Sequence, residues 1–112
     1  MWVVEATDEY LEWFAAQPAA VKELILAKVV LLQEFGPQLG RPHADTLKGS
    51  RIGNLKELRA KSEAHALRVL YFFDERQKAL LLVGGDKKGK NQKSFYKKLI
   101  AEAEALVERY RP

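Results

Sequence analysis

Residues Ala79 to Val83 run Ala-Leu-Leu-Leu-Val, five apolar residues with no polar interruption, and Gly84-Gly85 follow at once. A strand with one face in water alternates apolar and polar side chains, so an unbroken apolar run must be central or covered on both faces. Ala79–Gly84 therefore reads as a strand that is central in its sheet or covered on both faces. Two companions precede it, Leu55–Ala60 and Leu67–Phe73, both rich in bulky residues. The joining segments, Lys61–Ala66 and Asp74–Lys78, are short enough for hairpins. Together they predict a meander of three strands.

The flanks read as helices, with one more strand at the start. Trp2–Ala6 is short and β-branched, a strand by type. Thr7 suits the N-cap of a helix running from Asp8 to about Ala16, with Asp8 and Glu9 where the helix dipole favours negative charge. Its buried stripe is Tyr10, Leu11 and Phe14. Pro18 opens a second helix that runs to Phe35 and ends at Gly36-Pro37. Val21, Leu24, Ile25, Val29, Leu32 and Phe35 recur at helical spacing. The short joint predicts an antiparallel helical hairpin. Glycines and prolines break residues 36–54 into a surface connection in which Leu47 is the core anchor. A final helix covers about Ser94 to Arg109. The order β-α-α-β-β-β-α argues for an α+β fold: an N-terminal strand and helical hairpin packed on an antiparallel four-stranded sheet, plus a C-terminal helix. Residues 1–112 form a single domain at this length.

Composition excludes several classes. With no cysteine among 112 residues there is no disulfide scaffold and no cysteine-based metal site or nucleophile, as expected in a reducing compartment. Met1–Glu5 lacks the basic start and long apolar run of a signal peptide. The longest uncharged run, Trp13–Val21, is nine residues and contains Pro18, whereas a membrane helix needs about 20. A cytoplasmic protein with no membrane partner is expected. The formal charge of +4 hides an asymmetry: residues 1–36 hold two Lys against six acids, whereas 37–112 hold 17 basic residues against nine acids. That excess suggests a polyanionic partner, although lysine-rich faces also simply keep small proteins soluble.

Two clusters concentrate the charge. Alternation puts Glu57, Arg59 and Lys61 on one face of the first meander strand and Arg68 on a face with Leu70 and Phe72 in the next. A hairpin turning about Glu63-Ala64 sets Arg59 opposite Arg68. Two guanidiniums side by side repel unless an anion lies between them. The pair reads either as a phosphate site, since arginine forks onto phosphate oxygens, or as a solvated face with Glu57 neutralising Arg68. The second cluster runs from Asp86 to Lys98 and holds six lysines, Lys87, Lys88, Lys90, Lys93, Lys97 and Lys98, against one acid. Its glycines let backbone approach a ligand, and phosphate contacts there would make binding salt-dependent. It also reads as a solvated loop. It is no P-loop, lacking the Gly-Lys-Ser/Thr ending. Tyr96 follows the lysines and could stack on a base, yet its spacing with Ile100, Ala103 and Val107 also suits a core position. His43 and His65 have no matching ligand at metal spacing and read as surface loop residues. Ser50, Ser62 and Ser94 lack a nucleophile-elbow context.

Taken in order, LKELRA, LRVLYFFD and ALLLVGGDKKGKNQKSFYKKLIAEAEALVERY resemble the RelE/HigB toxins of type II toxin–antitoxin modules, and most of all the phage-derived HigB-like branch. The resemblance implies a RelE-like fold and a metal-independent, ribosome-dependent mRNA endonuclease without a cofactor. Such a toxin acts on mRNA in the ribosomal A site and is neutralised by a cognate antitoxin carrying a helix-turn-helix domain. In this chemistry the 2′-hydroxyl attacks the adjacent phosphate. It needs a base, positive charge on the phosphorane and an acid for the leaving 5′-oxygen. On matching positions Arg59 and Arg68 would hold the scissile phosphate, and Lys87 and Lys88 would supply base, acid or clamp. Tyr96 would stack or pass a proton, while Lys61, Lys90, Lys93, Lys97 and Lys98 would bind RNA. Two other readings stay open: a ParE-like inhibitor of DNA gyrase that cleaves nothing, and a non-catalytic RNA- or ribosome-binding module.

Overall fold

The computed structural model describes residues 1–110. In chain order the elements are β1 (Val4–Ala6), α1 (Asp8–Ala15), α2 (Ala19–Phe35), β2 (Ala44–Thr46), β3 (Lys56–Lys61), β4 (Ala66–Phe73), β5 (Ala79–Asp86) and α3 (Gln92–Tyr110), with a 3₁₀ turn at Gly36–Gln38. The strands form one sheet ordered β1-β5-β4-β3-β2. β5 is thus flanked on both sides, as its apolar run requires.

The α+β class stands, but the sheet has five strands rather than four and is mixed rather than antiparallel. β1 runs parallel to β5, with Val4 beside Ala79 and Ala6 beside Leu81. The Thr7 backbone N–H extends this pairing by donating to the Leu81 carbonyl at 3.0 Å. The added strand, β2, lies inside the predicted surface connection and pairs antiparallel with β3, Ala44 against Leu58 and Thr46 against Lys56. Three residues among prolines and glycines carry no periodicity. They become a strand only because β3 offers an open edge and Ala44 has an apolar core to enter.

Local chemistry sets the elements. Thr7 has extended backbone and caps α1: its hydroxyl oxygen accepts the Tyr10 N–H at 3.0 Å and donates to the Leu82 carbonyl at 2.6 Å. One buried side chain thus ties the helix start to β5. α2 ends at Gly36, whose φ of +56° suits glycine and whose α-carbon is covered by the Trp2 ring, leaving no room for a Cβ. Leu11 of α1 is half-exposed, because Tyr10 and Phe14 already fill that helix's inward face.

Each sheet face carries its own core. Tyr10 of α1 and Val21, Ile25 and Leu32 of α2 pack on Leu58, Val69, Tyr71 and Leu81. Leu99, Ala103, Leu106 and Val107 of α3 pack on Leu55, Leu70, Leu82 and Val83. Leu47 and Ile52 of the 47–54 segment tuck into the α3 side, and Glu104 holds the segment through the Ser50 hydroxyl (3.1 Å) and the Arg51 N–H (2.7 Å). A bulge re-aims the last residues of β5. Leu70 pairs with Val83 and Tyr71 with Leu81, so Leu82 has no partner on β4. Leu82 and Val83 therefore both join the α3-side core, and Gly84 is turned to the opposite face, beneath Trp13 of α1.

Candidate nucleic-acid cleavage site

The β3–β4 register sets Arg59 directly opposite Arg68, as the turn symmetry predicts, with Glu57 beside Leu70 further along the ladder. All three lie on the α3 side. α3 starts too late to cover this end of the sheet with apolar residues, and its first turns bring Tyr96 instead. The Tyr96 hydroxyl donates to Glu57 Oε1 at 2.7 Å and accepts from Arg68 Nε at 3.0 Å. Glu57 Oε1 lies 3.5 Å from Arg68 Nε, and Glu57 Oε2 lies 3.8 Å from Arg59 Nε. Glu57 and Arg68 are almost fully buried, whereas the Arg59 side chain is 36% exposed.

The carboxylate answers the repulsion that two facing arginines create. Glu57 satisfies Arg68, whose Nη1 also donates to the Leu67 carbonyl at 2.9 Å. Arg68 is thus held rigidly, and Arg59 remains the more open cation. Lys87 joins from the end of β5. Its backbone N–H donates to the Ala66 carbonyl at 2.8 Å, its Nζ lies 5.9 Å from the Tyr96 ring centre, and it is 3.4 Å from Gln92 Oε1. Burial lowers the Lys87 pKa, and the charges of Arg68 and Arg59 lower it further. Tyr96 is pushed the other way, raised by burial and by its bond to Glu57. Glu57, Arg59, Lys87, Gln92 and Tyr96 line one open cleft of ≈510 Å³ together with Asp45 and Lys48. Arg41, Lys48, Arg59 and Lys87 against Asp45 and Glu57 leave the cleft net positive and able to receive an anion. Among the described residues no group of three acids or histidines converges to hold a metal ion.

The other predicted site residues are dispersed. Lys88 is exposed, and its backbone N–H donates to Asp86 Oδ1 at 3.0 Å. Lys61 lines a neighbouring cleft with Arg59 and Arg68. Lys90 and Lys98 line a groove beside Gly84 and Gly85, away from Glu57. Lys93 and Lys97 are exposed on α3. Of the two histidines, His43 Nδ1 lies 2.8 Å from Lys28 Nζ. His65 Nδ1 lies 2.7 Å from Asp86 Oδ2, a partner invisible to sequence spacing. Asp86 Oδ1 also accepts the Ala66 and Lys88 N–H groups at 2.9 and 3.0 Å, clamping both sides of Lys87. Burial raises the Asp86 pKa, but the bonds from His65 and the two backbone amides outweigh it, and the net shift is downward. The sequence places Glu57 near Arg68 as a neutralising acid, not as a member of the site. One signal could have found it: a lone acid on the same strand face as a basic pair.

Comparison with known proteins adds a second line. Residues 12–108 match the family model described as phage-derived protein Gp49-like. Two proteins of Mycobacterium tuberculosis named as candidate toxins are similar. The first, HigB2, is 36% identical over 97 residues, which is 86% of this chain and 48% of that protein. The second, HigB3, is 37% identical over 98 residues, 88% of this chain and 83% of that protein. The chain therefore spans about half the length of the first relative. Among solved structures, a mutant of Escherichia coli toxin RelE in the free state superposes with a TM-score of 0.66 over 98% of both chains at 15% identity. RelE in the intact E. coli RelBE toxin–antitoxin complex gives 0.61 over 82% of this chain and 99% of that one at 14% identity. At such identities the likeness establishes the fold.

Proposed function

The chain belongs to the phage-derived Gp49-like family, the HigB-type branch of the RelE-fold toxins, and from that premise we propose that it is the toxin of a type II toxin–antitoxin module that cuts mRNA on the ribosome. The observation that carries the cleavage reading is the meeting of Arg59, Arg68 and Tyr96 at Glu57, with Lys87 lining the same cleft as Glu57, Arg59 and Tyr96. In-line attack of a ribose 2′-oxygen on the adjacent phosphorus leaves a 2′,3′-cyclic phosphate and a free 5′-hydroxyl. The phosphorane on the way carries extra negative charge, and preorganised cations lower its energy. Arg59 is the exposed fork for a non-bridging oxygen. Arg68, buried and held by Glu57 and Tyr96, adds a fixed positive charge opposite Arg59 on the hairpin.

Lys87 is the candidate base. An amine whose pKa is lowered by burial and two arginines is deprotonated more often near neutrality than free lysine. Tyr96 is the candidate proton relay, because its hydroxyl already links Glu57 and Arg68. Lys88 and the outer lysines contribute long-range attraction for RNA, which salt would screen. The partner that silences the toxin is an antitoxin, as in the RelBE complex, with a helix-turn-helix domain as the expected form.

The test is expression in growing bacteria of the chain and of its Arg59→Ala and Lys87→Ala variants, with transcript ends mapped. Growth arrest with cleavage inside translated messages, lost in both variants, supports the reading. Arrest with intact transcripts and accumulated gyrase–DNA damage would point to gyrase inhibition instead.

A further inference from the structure

The acidic helical hairpin sets one of its lysines against the basic sheet. Residues 1–36 hold two lysines, Lys22 and Lys28, and no arginine. Lys28 of α2 lines a cleft of ≈460 Å³ with Arg59, Lys61 and Arg68, and no carboxylate is among the lining residues. The Glu57 cleft differs, because Asp45 and Glu57 there offset part of the positive charge. Arg59 lines both clefts, so the two adjoin across a single guanidinium. Glu57 lies 3.5 Å from Arg68 Nε and 3.8 Å from Arg59 Nε. Neither Lys28 nor Lys61 forms an ion pair with a carboxylate among the described residues.

Two of these groups are held in place by backbone and ring contacts. His43 Nδ1 lies 2.8 Å from Lys28 Nζ. An ammonium has three N–H donors and no acceptor, so the contact uses one donor on a neutral His43 and leaves two. The residue that steadies Lys28 is itself pinned, since the His43 carbonyl accepts the Arg59 N–H at 2.8 Å. Strand N–H groups alternate sides, so the Lys61 N–H turns to the same side as that of Arg59. It lies beyond the reach of β2, whose pairing with β3 stops at Ala44 and Leu58. The rest of the wall is apolar: Leu24 and Ala27 of α2, with Pro42 and Ala60. Cations on one side and aliphatic surface on the other match a nucleotide unit, which carries a charged phosphate beside the less polar faces of ribose and base. A small inorganic anion has no use for the apolar wall.

We propose that the cleft of Lys28 and Lys61 is a second phosphate subsite, which binds the phosphodiester next to the one in the Glu57 cleft and carries the RNA strand across Arg59 toward α2. The inference rests on the reading of the Glu57 cleft as the RNA-cleaving site, and it assigns Lys28 and Lys61 to binding alone. Neighbouring phosphates on one strand repel each other, so seating two of them in adjoining clefts needs cations in both. Arg59 is the cation common to the two. Continuity favours RNA over an acidic protein segment: the cleft shares Arg59 with the place where the scissile phosphate lies. Each phosphate neutralised on a single strand adds about 0.7 to the dependence of log affinity on log salt, so the subsite has a measurable signature apart from cleavage.

The experiment titrates the full chain, with its lysine and arginine side chains labelled for NMR, with 2′-deoxyuridine oligonucleotides, which lack the attacking hydroxyl and stay intact. The probes are the dinucleotide, with one phosphodiester, the trinucleotide, with two, and an oligoglutamate. The dinucleotide should move Arg59, and the trinucleotide should move Lys28 and Lys61 as well. The trinucleotide should bind at least about fivefold more tightly than the dinucleotide, as expected when one more anion meets charged donors. In the Lys28→Ala/Lys61→Ala variant that gain should fall below about twofold, and the salt slope of the trinucleotide should drop by about 0.7. The Lys28→Gln/Lys61→Gln variant keeps most of each aliphatic stem and should behave the same way, which separates lost charge from lost packing. The proposal is overturned if the trinucleotide gains nothing over the dinucleotide, if the gain survives in both double variants, or if oligoglutamate alone moves Lys28 and Lys61. Movement of Arg59 and Lys87 without Lys28 and Lys61 would overturn the second subsite only. Oligonucleotides that move none of the four would overturn the reading of the Glu57 cleft along with it.

Discussion

The two faces of the β3–β4 hairpin are made from alternate residues of the same strands, yet they end in opposite chemistry. On the α1/α2 side, Leu58, Ala60, Val69 and Tyr71 continue an unbroken apolar core. On the α3 side the core ends at Leu70, and the next positions are Glu57, Arg59 and Arg68. The difference lies in the covering layer. α2 reaches the β3 end of the sheet with Val21, Ile25 and Leu32, whereas α3 arrives there with only its first turns, and Tyr96 is the residue it presents. An apolar face without a cover would be a liability; a charged face without a cover is a cleft. The sheet thus gains a charged cleft without a break in its core, by changing one face of one hairpin.

The largest expected contrast lies between neighbours on opposite faces. Leu58→Ala should cost about 2–5 kcal/mol in urea unfolding, because it opens a cavity in a packed layer. Arg59→Ala should change stability by less than about 1 kcal/mol, yet reduce mRNA cleavage by about 100-fold or more. Equal stability losses at the two positions would erase the distinction between the faces.

Next in size is the carboxylate between the arginines. Glu57→Gln weakens the support of buried Arg68 and should cost about 1–3 kcal/mol in the same unfolding assay. It should also lower the Lys87 pKa further, since Glu57 favours the protonated amine. Arg59→Ala should raise that pKa, by removing a neighbouring positive charge. Opposite movements of the Lys87 resonance in NMR titrations of the two variants are the check; movement in the same direction would contradict these electrostatics.

A smaller contrast separates adjacent lysines. Lys87→Ala should abolish most cleavage, while Lys88→Ala should cost a few-fold at low salt and nothing at high salt, where outer charges are screened. Single-turnover rates at two ionic strengths distinguish them. The smallest effect concerns Asp86. Its carboxyl pKa is lowered in the folded chain, so its contribution to stability is present above the ordinary aspartate value of about 3.9 and is lost as pH falls through the folded value. Asp86→Asn should flatten the acid limb of the stability curve below about pH 4, as followed by thermal melts across pH.

Much of the fold was legible because its signals are local. The apolar run Ala79–Val83, the helical stripe of α2, the Thr7 cap and the stop at Gly36 each depend on residues within a few positions. Hairpin symmetry even placed Arg59 opposite Arg68. β2 was not legible, since Ala44–Thr46 is a strand only against β3. The parallel pairing of β1 with β5 joins segments about 75 residues apart, the separation of the Thr7–Leu82 bond. The lysine cluster was legible as charge but not as geometry: Lys87 enters the Glu57 cleft, whereas Lys90 and Lys98 border the β5 edge.

By itself the sequence determined which residues are apolar, which strands are central and where positive charge accumulates, because hydrophobic period and turn chemistry act over short stretches of chain. Only the tertiary structure decided that Glu57, Arg68 and Tyr96 share two hydrogen bonds, that Asp86 and His65 brace Lys87, and that Lys28 shares a cleft with Arg59. Those outcomes depend on where α3 and α2 land, and both are set by packing between segments distant along the chain.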